Sequence, residues 1–363
     1  MPPCCITGWT GFSMAVDARS QENGGTRVAD SRSDPERVAV IGSNSFSGSH
    51  FVDACLREGA SVVGISRSPQ PADVFLPYRW QERGGAFEFR QLDLNHDLDR
   101  IDAVLQAFSP ESVVNFAAQS MVAQSWDHPE HWYQTNVVAN VRLHDRLRRL
   151  EGLKKYVHIS TPEVYGSCSG TVTDEQPFHP STPYATSRAA CDMHLMNFHS
   201  NYGFPVVFTR AANVFGPGQQ LYRIVPRTVL YALTGRKLQL HGGGRSMRSF
   251  IHIRDVAEGT LRVMRSASPP HAYHLATDRY VAIRELVQAI CDLLEVRFDD
   301  FVEIAEDRPG KDQAYFLDCA RTKEELGWSP VVSLEDGLAE TIDWVKENLD
   351  ELKKQPQDYV HKP

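Results

Sequence analysis

The feature that most constrains this chain is a short apolar strand that runs through a glycine-framed turn into a helix. Val38-Ala39-Val40-Ile41 shows no polar alternation, which suits a strand covered on both faces. Gly42-Ser43-Asn44-Ser45-Phe46-Ser47-Gly48 follows. Phe51, Val52, Cys55 and Leu56 then recur at helical spacing, and Ser61-Val62-Val63-Gly64-Ile65-Ser66 reads as a second buried strand. The whole is a βαβ unit, whose tight turn lets a pyrophosphate approach the helix N-terminus. Gly42 and Gly48 hold the first and third glycine places and Ser45 the middle one, so the backbone at Ser45 has to avoid positive φ. Cofactor contacts are expected from Gly42, Asn44, Ser45, Phe46, Ser47 and Gly48.

The alternation continues. Strands are predicted over residues 87–93, 112–117, 156–160 and 205–210, with helices over 101–108, 132–150 and 184–202. Strand and helix in turn predict an α/β fold, a Rossmann-type doubly wound parallel sheet. Beyond residue 215 the regular pattern gives way to denser glycine, proline and arginine, with helices still expected over 225–234, 254–265, 283–294 and 334–349. The expected organisation is a flexible N-terminal extension (1–36), a dinucleotide-binding domain (37–215), a smaller, mainly substrate-binding lobe interleaved with the core (216–350) and a tail (351–363). The extension is expected from its density of Asp, Ser, Gly, Asn and Arg.

Composition narrows the function classes. At 363 residues, with 42% apolar and 23% charged residues, the chain suits a large α/β core with a lobe attached. A net charge of −8 opposes non-specific nucleic-acid binding. No apolar run approaches the roughly 18–20 residues of a membrane span, and the N-terminus lacks a signal peptide's apolar core. The seven cysteines are scattered, with no CxxC and no His/Cys metal spacing. Reduced thiols, a cytoplasmic location and no metal are expected.

The chemistry-bearing residues fall at strand ends. Ser66-Arg67-Ser68 closes the second strand without the acidic residue that would bind a ribose 2′-hydroxyl. A cation between two hydroxyls suits a 2′-phosphate, so NADP is expected in preference to NAD. Asp93, with Leu94 beside it, is a candidate for the adenine end. Thr161 and Glu163 follow the predicted strand 156–160, and Tyr184 and Arg188 stand at i,i+4 on a predicted helix. A hydroxyl, a carboxylate, a phenol and a cation suit redox-assisted sugar chemistry. The phenol takes a hydroxyl proton as hydride leaves the same carbon, and the cation lowers the phenol's pKa.

These motifs, in this order, resemble the extended short-chain dehydrogenase/reductase family, in its nucleotide-sugar epimerase/dehydratase group. The similarity rests on the glycine turn, Asn115-Phe116-Ala117-Ala118-Gln119-Ser120, Asn136, residues 160–166 and 184–188, and Arg210-Ala211-Ala212-Asn213-Val214-Phe215-Gly216-Pro217. It continues through Arg248, Asp255, residues 307–312 and Glu325-Leu326-Gly327-Trp328. Thr161-Pro162-Glu163-Val164-Tyr165-Gly166 is similar to sugar-nucleotide 4,6-dehydratases and UDP-glucuronate decarboxylases. Ala117 to Ser120 and Ser66 to Ser68 resemble the NADP-using GDP-mannose 4,6-dehydratases. Gly216-Pro217-Gly218-Gln219-Gln220 and residues 307–312 resemble dTDP-glucose 4,6-dehydratases, so the nucleotide base stays open.

The resemblance implies catalysis by Thr161, Glu163, Tyr184 and Arg188. It also implies cofactor contacts from Phe116, Ala117, Ala118, Gln119, Tyr184 and Arg188, and substrate contacts from Ser120, Asn213, Arg223, Arg248 and Arg308. The implied activity is 4,6-dehydration of a nucleoside-diphosphate hexose. C4 epimerisation or decarboxylation is the alternative, and a catalytically weak cofactor-binding protein is the alternative of another class. Two residues depart from the family pattern: Pro162, where dTDP-glucose dehydratases place an aspartic acid, and Arg188, where the family has lysine. A homodimer or higher homo-oligomer through the helices over 132–150 and 184–202 is also implied. Val137, Val138, Val141, Leu143 and Leu147 are left undivided between core and interface.

Overall fold

The computed structural model describes residues 35–168, 170–306 and 316–362. The expected extension up to residue 34, Arg308 and the 307–312 motif therefore lie outside the described residues.

Seven parallel strands form the central sheet: β1 (Arg37–Ile41), β2 (Ser61–Ser66), β3 (Ala86–Gln91), β4 (Ser112–Asn115), β5 (Lys155–Ile159), β6 (Val206–Ala211) and β7 (Ala272–Leu275). Their spatial order is β7-β6-β5-β4-β1-β2-β3. The order reverses at β1, which pairs with β2 on one side and β4 on the other. Ile41 lies in register with both Ile65 and Asn115. Three strand ends thus open at one edge, the crevice where such sheets bind ligands.

Side-chain alternation explains why these strands are apolar throughout. Ala39, Ile41, Val63 and Ile65 face one helix layer with Leu105, Leu143, Leu147 and Leu195. Val38, Val40 and Val62 face the other, with Phe51, Val52, Leu261 and Val263. The layers include α1 (Phe46–Arg57), α2 (Leu98–Phe108), α3 (Pro129–Tyr133), α4 (Asn140–Leu147), α5 (Pro183–Tyr202) and α7 (Ile253–Ser266), whereas α6 (Ile224–Leu233) packs in the smaller lobe.

The predicted continuous helix over 132–150 is instead α3 and α4 joined by a π-helical stretch, Gln134–Ala139. The Asn140 side chain donates to the Thr135 carbonyl at 2.8 Å, which supports the widened turn. Of the five apolar positions left undivided, Leu143 and Leu147 are in the core and Val138 is 38% exposed. Met193 and Met196 on α5 are exposed as well.

Beyond residue 215 the chain returns to the sheet as β7 and builds a smaller three-stranded sheet. There Met247–His252 pairs in parallel with Asn213–Phe215 and antiparallel with Tyr280–Ala282. Phe215, Val229, Phe250, Leu286 and Leu338 form the apolar core behind it.

One buried ion pair joins α5 to the sheet. Asp192, fully buried on α5, accepts from Arg210 Nη2 on β6 at 2.9 Å and from Ser160 Oγ at the end of β5 at 2.6 Å. Arg210 Nη1 donates to the Tyr165 hydroxyl at 2.6 Å. Removing one member of such a pair strands the other charge without solvent. Asp192→Asn should therefore cost about 3 kcal/mol or more of stability. Urea unfolding followed by circular dichroism checks this, and a loss within about 1 kcal/mol contradicts it.

Candidate active site

The first βα turn shows how a serine replaces the middle glycine. Gly42 adopts φ +84°, and a Cβ on it would sit 2.7 Å from the Ala117 amide nitrogen. At Gly48 a Cβ would sit 2.2 Å from the Gly42 carbonyl oxygen. Both glycines are required by close backbone approach. Ser45 has φ −71° and caps α1: its Oγ accepts from Gly48 N at 3.1 Å and donates to the Gly42 carbonyl at 2.7 Å. The first turn of α1 carries no acidic side chain, which keeps its end favourable to an anion.

A groove of about 230 Å³ opens beside this turn. Gly42, Asn44 and Ser45 form one part of its wall, and Ser66, Arg67, Asp93 and Leu94 another. Phe116, Ala117, Ala118 and Gln119 complete it from the loop after β4. Phe46 instead packs in an apolar cluster with Val164 and Tyr165. Gly48 lies behind the turn, and neither it nor Ser47 lines the groove. The corner at the end of β2 is fastened to the glycine turn: Asn44 N donates to Ser66 Oγ at 3.0 Å, and Asn44 Nδ2 to the Ser68 carbonyl at 3.0 Å. The loop after β4 is held by Asn136. Its Oδ1 accepts from Gln119 N at 2.8 Å, and its Nδ2 donates to Gln119 O at 3.0 Å and to Ser187 Oγ at 2.9 Å.

The four catalytic candidates meet where β5 ends against the start of α5. Thr161 caps a single 3-10 turn, Pro162–Tyr165, with Glu163 N donating to its Oγ1 at 3.3 Å. Thr182 caps α5, with Ala185 N donating to its Oγ1 at 3.1 Å, and so sets the entry of Tyr184. Tyr184 is 8% exposed. Burial pushes its phenol above the ordinary value, and the Glu163 carboxylate adds to that. The Arg188 guanidinium, the Thr161 hydroxyl and Arg223 pull in the opposite direction. The Thr161 hydroxyl and the charges of Glu163, Arg188 and Arg223 thus all act on one phenol.

Arg188 is 1% exposed. Its Nη2 reaches His158 Nε2 at 3.1 Å and also donates to the Ile159 carbonyl. Its Nε is buried without a hydrogen-bond partner among the described residues. An orphaned donor below Tyr184 and a glycine cradle that any Cβ would fill both fit a dinucleotide lying between the turn and α5.

Behind Arg188, His144, His158 and Cys191 converge in the core with their ligand atoms within 4.8 Å of one another. Sequence spacing missed this group. The cation on His158 and the burial that pushes the Cys191 thiol up to about 12 make it a poor metal site.

The substrate candidates fall in three places. Asn213 and Arg248 line one small cleft on the three-stranded sheet. Arg223 stands at the N-cap of α6, and Ser120 is exposed just beyond the groove. Ser68, read from the sequence as part of the ribose corner, lines the groove too, and so do Asn95 and Thr135, which were not singled out from the sequence. The latter two carry no motif and are recognised only by position.

A family model described as GDP-mannose 4,6 dehydratase matches residues 40–341. The chain belongs to this family. A dTDP-glucose 4,6-dehydratase from Xanthomonas campestris pv. campestris is 33% identical over 328 residues, covering 85% of this chain and 93% of that one. Another from Streptomyces antibioticus is 36% identical over 250 residues, 68% of this chain and 74% of that one. Among solved structures, a dTDP-glucose 4,6-dehydratase from Streptomyces venezuelae with NAD bound superposes with a TM-score of 0.78 at 31% identity, covering 87% of this chain and 98% of that one. A UDP-glucose 4-epimerase from Thermotoga maritima reaches 0.78 at 26% identity, covering 86% of this chain and 99% of that one. No helix among the described residues is long and apolar enough to cross a membrane.

Family membership makes the role of Arg188 testable. Its charge favours the phenolate of Tyr184, so removing it raises the phenol's pKa. In Arg188→Gln the rising limb of the pH–rate profile should move to higher pH, while Arg188→Lys should move it much less. A limb unchanged in Arg188→Gln contradicts the assignment.

Proposed function

We propose that this chain is a nucleoside-diphosphate-hexose 4,6-dehydratase that carries out its chemistry on a bound nicotinamide dinucleotide. The observation that carries the reading is the Tyr184 phenol, acted on by Thr161, Glu163 and Arg188, on a helix tied through Ser187 and Asn136 to the wall of a glycine-framed groove. Gly42, Ser45, Arg67, Gln119 and Arg188 would hold the dinucleotide, which when bound supplies a hydride acceptor and donor. NADP is the preferred form, supported by Arg67 between Ser66 and Ser68 at the ribose corner.

Tyr184 takes the proton of the C4 hydroxyl, and Thr161 holds that oxygen. The resulting 4-keto group acidifies C5–H, and Glu163 removes that proton. Pro162 occupies the first position of the 3-10 turn and cannot donate. The C6 hydroxyl must then leave with a proton from Glu163, newly protonated by C5, or from water. Arg223 and Arg248 supply guanidinium forks suited to the substrate's diphosphate.

Cofactor-free protein given NADP or NAD is incubated with a panel of nucleotide hexoses, and the products are analysed by mass. The expected product has lost one water, and forms faster with NADP. Loss of carbon dioxide, or unchanged mass with altered stereochemistry, would replace dehydration by decarboxylation or epimerisation. No turnover across the panel would favour a cofactor-binding protein without catalysis.

A further inference from the structure

The groove has a rim that no sequence motif announces. After the helix Leu334–Glu347 and the short turn Leu349–Leu352, the chain runs out along α6. Arg227 Nη2 donates to the Gln357 carbonyl at 2.8 Å and to the Asp358 carboxylate at 2.9 Å. The Tyr359 ring stands edge-on to Tyr222 at 5.5 Å between centroids. His361 lies flat on Trp132, with centroids 5.0 Å apart and planes 8° apart. Its Nε2 shares a 2.8 Å hydrogen bond with His131 Nδ1.

Lys362 then meets the groove. Its carbonyl accepts from Gln119 Nε2 at 2.6 Å and from Arg67 Nη2 at 3.2 Å. Its ammonium lies 3.4 Å from Ser68 Oγ. One residue therefore touches both lips of the cleft, the loop after β4 and the corner after β2. The anchors further back, on α6 and α3, hold it there without using the glycine turn, and the cavity of about 230 Å³ remains open beneath. Two cations, Arg67 and Lys362, now flank Ser68. Two cations at one corner favour an anionic group there over a neutral one.

We propose that residues 357–362 are a further element of the dinucleotide site: a strap that closes over the adenosine half and, through Lys362, adds a second cation to the Arg67 corner. The inference rests on reading the groove as a dinucleotide site. Ligand must enter before the strap seats or while it is lifted, and must leave the same way. The strap therefore slows dissociation, and Lys362 strengthens binding of a 2′-phosphate over a 2′-hydroxyl.

The test compares the full chain with a variant lacking residues 357–363, with His361→Ala and with Lys362→Gln. Dissociation of NADPH is followed by stopped-flow fluorescence, and NADP and NAD binding by calorimetry. Loss of the segment should speed NADPH dissociation about tenfold or more, and His361→Ala should reproduce part of that gain in a protein that keeps the strap. Lys362→Gln should weaken NADP about three- to tenfold, as for one charge-assisted contact at a partly exposed site, with little change for NAD. Dissociation unchanged in both the deletion and His361→Ala overturns the strap. Tighter binding on deletion also overturns it, because the segment would then be a plug that competes with the cofactor. A full chain that binds neither dinucleotide overturns the reading of the groove itself, which separates that failure from the failure of the strap.

Discussion

The arrangement of this site depends on one buried carboxylate. Asp192 projects from α5, the helix that carries Tyr184 and Arg188, and holds Ser160 at the end of β5 and Arg210 on β6. Ser160 immediately precedes Thr161. The bond therefore fixes the register between the helix that supplies the phenol and the loop that supplies Thr161 and Glu163. A fully buried carboxylate is costly unless paired and hydrogen-bonded, and here it has both kinds of partner. Arg210 in turn bonds Tyr165, whose hydroxyl shares a 2.8 Å hydrogen bond with His274 on β7. The network runs from the helix through β5 and β6 to the edge strand, so the site is braced across the sheet rather than by its own loop alone.

The second constraint is steric. With no room for a Cβ at Gly42 or Gly48, the loop after β4 and the start of α1 lie against the glycine turn. Ser45 keeps an ordinary backbone conformation and uses its hydroxyl as the helix cap. The departure from three glycines is thus accommodated by hydrogen bonding. Arg188 is accommodated differently. Its guanidinium settles on His158 and the Ile159 carbonyl. Its charge still bears on Tyr184.

Much of this was legible in the sequence, because local patterns carried it. Six of the seven sheet strands follow from unbroken apolar runs or alternation, and the glycine turn, Thr161, Glu163, Tyr184 and Arg188 stand in contiguous motifs. What escaped lacked a local signal. The edge strand Ala272–Leu275 is four residues long and contains a histidine. That residue is buried because Tyr165 and the Asp318 carbonyl satisfy both ring nitrogens. The π-helical stretch has an ordinary helical composition and is supported by the tertiary and local bonds of Asn136 and Asn140. The contacts of His361 and Lys362 span more than two hundred residues in sequence, and no periodicity reports them.

In the proposed mechanism Tyr184 and Glu163 control different protons. Incubation with a turned-over nucleotide hexose in deuterated solvent, following both reduced-nicotinamide absorbance and exchange at C5, separates them. Tyr184→Phe should show neither signal, because oxidation at C4 never begins. Glu163→Gln should still accumulate reduced nicotinamide, while C5 exchange and product formation fall by about 10²–10⁴, the usual worth of a positioned base. Near-normal turnover with C5 exchange retained in Glu163→Gln would contradict the central claim and assign the C5 proton to another base.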